Sequence, residues 1–245
     1  MSRYNEQNYS GINNEAIQGT AVLARAFMMR VFSWMFLALT ITAITSFVWA
    51  ATPSLMLLLI NTTTHGLSTL GWIVMFAPLG FVLLMSFGFQ KLPAPIMMML
   101  FVVYAIIMGM SLSFIFLAYN IGTIGITFAI AAGMFGVMAI AGYITKTDLT
   151  KFGSLLMMGV VGLVIAMLVN FFMKSDTMGY VISVIGVLIF TGLTAYDVQK
   201  LKRIGTTMDG GNTMATKMSI MGALTLYLDF INLFLFLLRL MGGRK

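Results

Sequence analysis

Two aspartates lie inside stretches otherwise apolar enough to cross a bilayer. Asp197 sits in Phe190-Thr-Gly-Leu-Thr-Ala-Tyr-Asp-Val-Gln-Lys200, and Asp229 in Ala223-Leu-Thr-Leu-Tyr-Leu-Asp-Phe-Ile-Asn-Leu-Phe-Leu-Phe-Leu-Leu-Arg239. An ionisable group at that depth needs a partner and marks a site rather than a surface. Two carboxyls in a low-dielectric setting cannot both ionise freely, so if they meet they share a proton and titrate as one unit. With both protons gone they offer hard oxygen ligands. Two carboxylates fall well short of the six to eight oxygens of a tight Ca²⁺ site, so metal binding at Asp197 and Asp229 is expected to be weak and transient.

Helical spacing groups further residues with these acids. Gly222, Thr225, Asp229, Asn232, Phe236 and Arg239 recur every three or four positions and share one stripe, while Thr194 and Gly186 lie on roughly the face of Asp197. Thr194, Thr225 and Asn232 are the supporting polar groups. Entry of the last segment into hydrocarbon near Ile220, with Lys217 snorkelling outward, puts Asp229 on the order of 13 Å deep. Asp197, three residues from Lys200, is expected about a turn shallower, and pairing with Lys200 or Lys202 is its plainer role. For Asp229 the plainer role is a structural hydrogen bond to a neighbouring helix. The other acids, Glu6, Glu15, Asp148, Asp176 and Asp209, fall in the tail or loops and read as solvated, as does His65, the single histidine.

The elements that must position the two aspartates are membrane spans. Hydrophobic residues make up 60% of the 245 positions and charged residues 9%, with a mean hydropathy of +1.00, which excludes an ordinary soluble domain. Seven spans are expected: 31–51, 67–89, 96–119, 121–144, 152–172, 178–201 and 220–241, each with the roughly 20 residues a bilayer core demands. The fold class is therefore an all-α integral membrane protein, a single unit over residues 25–245 preceded by a polar tail over 1–24 with no signal-peptide pattern. The third and fourth spans meet at Asn120-Ile121-Gly122 and should form a tight antiparallel hairpin. Glycines at 122, 125, 133, 136, 153, 159 and 162 read as close helix contacts, not as a phosphate loop.

The net charge of +7 has no basic helix or aromatic–basic interleaving behind it, so no nucleic-acid partner is expected. The cations flank the spans and, by the positive-inside rule, place the N-terminus in the cytoplasm. The basic C-terminus mildly violates that rule, and a re-entrant last segment in a six-span arrangement would remove the violation. Without cysteine there is no thiol chemistry or disulfide. The 24 methionines are scattered without a repeated motif and read as packing residues rather than a copper path. No cofactor and no catalytic residue is expected.

The two aspartate-bearing strings, together with Gly142-Tyr-Ile-Thr-Lys-Thr-Asp-Leu-Thr-Lys-Phe-Gly153, resemble the Bax inhibitor-1 family, also called the transmembrane Bax inhibitor motif family, in its bacterial branch. The resemblance covers nearly the whole chain beyond the tail. It implies a bundle whose last helix is wrapped by the other six, a bacterial inner-membrane location, and a pH-sensitive Ca²⁺ leak in which Asp197 and Asp229 form the sensing pair. It also implies, in some members, a basic latch on the second helix. Here that span has no arginine, and Lys91 just past its end is the nearby cation.

Protons and Ca²⁺ are thus the expected partners beside the bilayer itself. A second class of function is a regulatory membrane protein modulating a membrane-bound AAA protease or stress response through its N-terminal tail, without transport of its own. A third, an intramembrane aspartyl protease, would use the same proton sharing. Leu-Tyr-Leu-Asp-Phe around Asp229 lacks the preceding glycines of such enzymes, and no Pro-Ala-Leu segment follows.

Overall fold

The structure, a computed structural model, describes residues 2–61, 66–208 and 212–242, with side chains from residue 19 onward. His65, Asp209, Arg244 and Lys245 lie outside the described residues. The chain forms α1 (Ser2–Ala51), α2 (Pro53–Leu59), β1 (Ile60–Asn61), β2 (Gly66–Leu67), α3 (Thr69–Gly88), α4 (Ala94–Leu112), α5 (Ile115–Ala118), α6 (Ile121–Ile144), α7 (Thr150–Met173), α8 (Asp176–Thr206) and α9 (Thr213–Met241). Seven of these stretches are long and apolar enough to span a membrane, α4 and α5 counting as one. The molecule is an all-α integral membrane protein.

Local chemistry sets the boundaries. Thr52-Pro53 ends α1, since the ring of Pro53 suits the first position of a new helix and not the middle of an old one. Ser68 caps α3 by accepting from the Gly71 N–H at 3.0 Å, and its hydroxyl donates to the Leu58 carbonyl at 2.6 Å. Asn120 caps α6, Ser175 caps α8 and Asn212 caps α9 through their side-chain oxygens. Asp176 opens α8 rather than standing in a loop, where it complements the positive end of the helix dipole. α7 stops at Lys174, which takes the left-handed conformation with φ 51° and donates its N–H to the Asn170 carbonyl at 2.7 Å.

Burial decides which helix is central. In its most apolar stretch α9 is 72% buried, α8 44% and α7 6%. α9 packs chiefly on α1, α4, α6 and α8, while α3 leans on α4 and α7 on α8 as an outer layer. α9 is also one uninterrupted helix of 29 residues, so the re-entrant alternative, which needs a turn within the segment, does not form. The third and fourth spans are joined as tightly as expected, yet α4 packs mainly on α1 and α6 on α8 rather than on each other. The third span is broken at Ser113-Phe114 and followed by the single turn of α5. The two-residue β1–β2 pairing between α2 and α3, Ile60 opposite Leu67 and Asn61 opposite Gly66, has no counterpart in the sequence reading.

The helix starts and turns divide the bundle into two ends. Arg25, Arg30, Lys91, Lys146, Lys151, Lys200, Lys202, Arg203 and Lys217 gather at one, hereafter the basic end, and Lys174 and Arg239 belong to the other.

Inside, one buried threonine links three helices. Thr42 of α1 donates to the Ala105 carbonyl of α4 at 2.9 Å and lies 2.8 Å from the Tyr227 hydroxyl of α9. The threonine has one proton to give, so Tyr227 is the donor in the second bond. Tyr227, Tyr104 and Phe101 stack around this point with centroid spacings of 5.4 to 6.4 Å.

Glycines do different work at different positions. A Cβ on Gly142 would strike the backbone of Ala195 on α8, whereas one on Gly125, Gly133 or Gly136 would meet nothing within 4 Å. Backbone cannot move aside as a side-chain tip can. Gly142→Ala is therefore expected to destabilise the purified protein by about 1–3 kcal/mol, while Gly136→Ala leaves the thermal midpoint unchanged. Equal midpoints for the two variants would contradict the α6–α8 packing.

Candidate functional site

α8 and α9 are antiparallel neighbours at the centre of the bundle, and their facing sides carry the two aspartates. Asp197 is 7% and Asp229 4% exposed. Despite the expected difference in depth, the two carboxyls come within hydrogen-bonding reach of each other. Oδ2 of Asp229 is buried and receives no protein N–H or O–H. Two carboxylates are both acceptors, so a hydrogen bond between them requires a proton on one.

A cavity of about 140 Å³ lies beside Asp197 in the cleft between the two helices. It is lined by Asp197, Lys200, Leu201 and Ile204 of α8 and by Met218, Met221, Gly222 and Thr225 of α9. These residues run from the acids toward the basic end. Methionines give the walls flexibility, and Lys200 is the cation whose charge acts on Asp197. A cleft of this size accommodates a few waters.

The supporting residues divide. Thr225 lines the cavity and bonds its own helix at the Met221 carbonyl, 3.1 Å away. Thr194 is fully buried and donates to the Phe190 carbonyl at 2.8 Å, and Asn232 donates to the Leu228 carbonyl at 2.8 Å. Both close bonds within their own helices and not with the acids. Lys91 is exposed at the α3–α4 turn. The cation that is buried there is Lys217, 8% exposed, with its ammonium 5.0 Å from the centroid of the Phe89 ring. Packing under that turn replaces the outward snorkelling expected for Lys217. The plainer pairing of Asp197 with Lys202 does not form either, since Lys202 donates to the Tyr143 carbonyl at 2.7 Å and lies 4.5 Å from the Tyr143 ring centroid.

The site has a support that the sequence reading missed. Gln199, two residues past Asp197, accepts from the Leu149 N–H at 2.9 Å and donates to the Thr147 carbonyl at 2.8 Å. Arg203 adds bonds to Asp148 at 2.6 Å, Gln199 at 3.0 Å and Thr150 at 3.2 Å. The α6–α7 loop is thereby fastened to the end of α8. The ring of Tyr196 rests against Gly153, where a Cβ would clash with it. The signal lies in the polar string from Thr145 to Thr150, whose acid, Asp148, is bonded to Arg203 rather than to solvent alone.

Among the described residues, no three His, Cys, Asp or Glu side chains gather to hold a metal. Residues 24–245 match the family described as inhibitor of apoptosis-promoting Bax1. The chain is 45% identical over 222 residues to the inner membrane protein YbhL of Escherichia coli, covering 90% of this chain and 93% of that one. It is 42% identical over 221 residues to a protein of Rickettsia prowazekii (90% and 91%), and 40% identical over 227 residues to one of Deinococcus radiodurans (93% and 94%).

The exposed clamp makes a pH prediction. The Thr150 hydroxyl and then the Arg203 guanidinium hold the Asp148 carboxyl well below the usual carboxylate range. A lowered pKa means that its stabilisation is present above the unfolded value and lost only as pH falls through the folded one. The bridge therefore stays intact from about pH 5.5 to 8. Asp148→Asn should weaken loop anchoring, read as faster proteolysis or hydrogen exchange at 145–150, with the difference from wild type constant across that range. A difference that varies with pH there would contradict this assignment.

Proposed function

The chain belongs to the Bax inhibitor-1 family, and from that premise we propose that it is a proton-controlled cation leak of the bacterial inner membrane, with Asp197 and Asp229 as its sensor and Ca²⁺ as the permeant ion. The observation that supports this reading is the buried carboxyl pair with a cavity beside it leading toward the basic end. On the positive-inside rule that end faces the cytoplasm, and the inner-membrane location rests on the likeness to an E. coli inner membrane protein.

The mechanism follows from how many protons the pair holds. With one proton shared, the carboxyls bond to each other and hold α8 against α9 across the centre of the bundle, closing the path. Removing that proton leaves two negative charges face to face. At about 4 Å and an effective dielectric near 20, such charges repel by about 4 kcal/mol, enough to favour separation or a bound cation. Adding a second proton removes the charge that strengthens the bond. The closed state is tied to the singly protonated pair, and Lys200, lining the cavity, opposes entry of a divalent ion.

The test is Ca²⁺ entry into proteoliposomes between about pH 5.5 and 8. Wild type should show a flux that changes by up to about tenfold per pH unit, the limit for one proton. Asp229→Asn supplies a permanent donor to Asp197 and should hold the flux near its minimum at every pH. Lys200→Gln should raise the flux without abolishing its pH dependence. No flux at any pH in wild type would overturn the leak and favour the regulatory reading.

A further inference from the structure

The outer face of α1 at the basic end carries a polar feature that the carboxyl pair does not use. Ala26, Met29, Arg30, Ser33, Trp34 and Leu37 line an open hollow of about 500 Å³. Their intervals of three and four residues place them on one helical face. The opposite face of the same turns, Phe27, Met28 and Val31, is buried in the bundle. Arg30 makes no side-chain hydrogen bond or ion pair among the described residues.

Its depth is set by the length of the helix. From Val31 to Ala51, α1 offers about 30 Å of apolar length at 1.5 Å per residue, the thickness of a hydrocarbon core. Arg30 then stands at headgroup level, with Ser33 less than one turn further in. Trp34 is held edge-on to Phe101 of α4 with centroids 6.4 Å apart, so its orientation is set before any ligand arrives. Leu37, 44% exposed, follows on the same face. Going inward, the face presents a guanidinium, a hydroxyl, an indole and then an aliphatic side chain over about 10 Å of helix rise. That order matches a phospholipid met from its phosphate down through its glycerol to the start of its acyl chains.

We propose that this face of α1 is a binding site for an anionic phospholipid, with Arg30 and Ser33 taking the phosphate and Trp34 and Leu37 the glycerol and upper acyl chain. Charge complementarity selects the headgroup. A guanidinium binds phosphate oxygens two at a time, and the nearby Arg25 favours a lipid whose net charge is negative over a zwitterionic one.

Native mass spectrometry of the detergent-purified full chain, with dioleoyl phosphatidylglycerol or dioleoyl phosphatidylcholine added at equal concentration, tests the site. Wild type should retain phosphatidylglycerol in preference to phosphatidylcholine. Arg30→Gln should bind phosphatidylglycerol about fivefold more weakly, and Lys151→Gln, an exposed charge removed elsewhere at the same end, should bind it as wild type does. Arg30 is exposed and unpaired, so its variant should keep the wild-type thermal midpoint without lipid. Equal retention of the two lipids, or equal loss in both variants, would overturn the site in favour of diffuse surface charge. Inorganic phosphate raising the midpoint as far as phosphatidylglycerol does would also overturn it, since the anion alone would then suffice.

Discussion

A carboxyl group near the middle of a membrane helix must be kept from lipid and given a hydrogen-bonding partner, and Asp229 imposes both demands on this fold. Shielding it requires helices around α9. Satisfying it requires a polar group at the matching depth on one of them, and the helix that follows most directly from the chain's own connectivity, α8, supplies Asp197. Both groups being acceptors, the contact exists only with a proton present. The carboxyl pair thus lies where the two most buried helices meet, with a cavity beside Asp197.

Much of this was legible in the sequence because lipid leaves few options. Seven apolar stretches, the two acids within them and the uneven placement of cations all follow from the price of polarity in oil, which acts residue by residue. The features that escaped depend on residues distant in the chain. Gln199 meets Thr147 and Leu149 about fifty positions away, and no local pattern signals such a pairing. The neighbours of Lys217 in the chain point it outward, but Phe89 offers its ring face instead. Ser113-Phe114 lies within a stretch long and apolar enough to read as one span, so the interruption between α4 and α5 is not marked by any charged residue or proline.

The glycines make the same point within one helix. Gly142 and Gly136 both lie in α6, yet the first touches the backbone of α8 and the second faces open space. Composition identifies residues that permit close approach, and only the arrangement of neighbours decides which permission is used. The supporting threonines are similar. Thr194 and Thr225 share the acids' helices, but each bonds a carbonyl one turn back, the default for a hydroxyl in a helix with nothing better nearby.

The centre of the bundle is filled by the span that comes after all the others in the chain. Synthesis proceeds from the N-terminus, so the first six spans reach the bilayer while the ribosome still holds α9. Until it arrives, the inner faces of α1, α4, α6 and α8 have no core to pack on, and the nascent protein passes through an assembly intermediate with a vacant or collapsed middle. Insertion of α9 must then part helices that have already met. Asp229 enters the membrane during that step, after α8 has already carried Asp197 in, so the contact between the two carboxyls is among the last that the bundle can make.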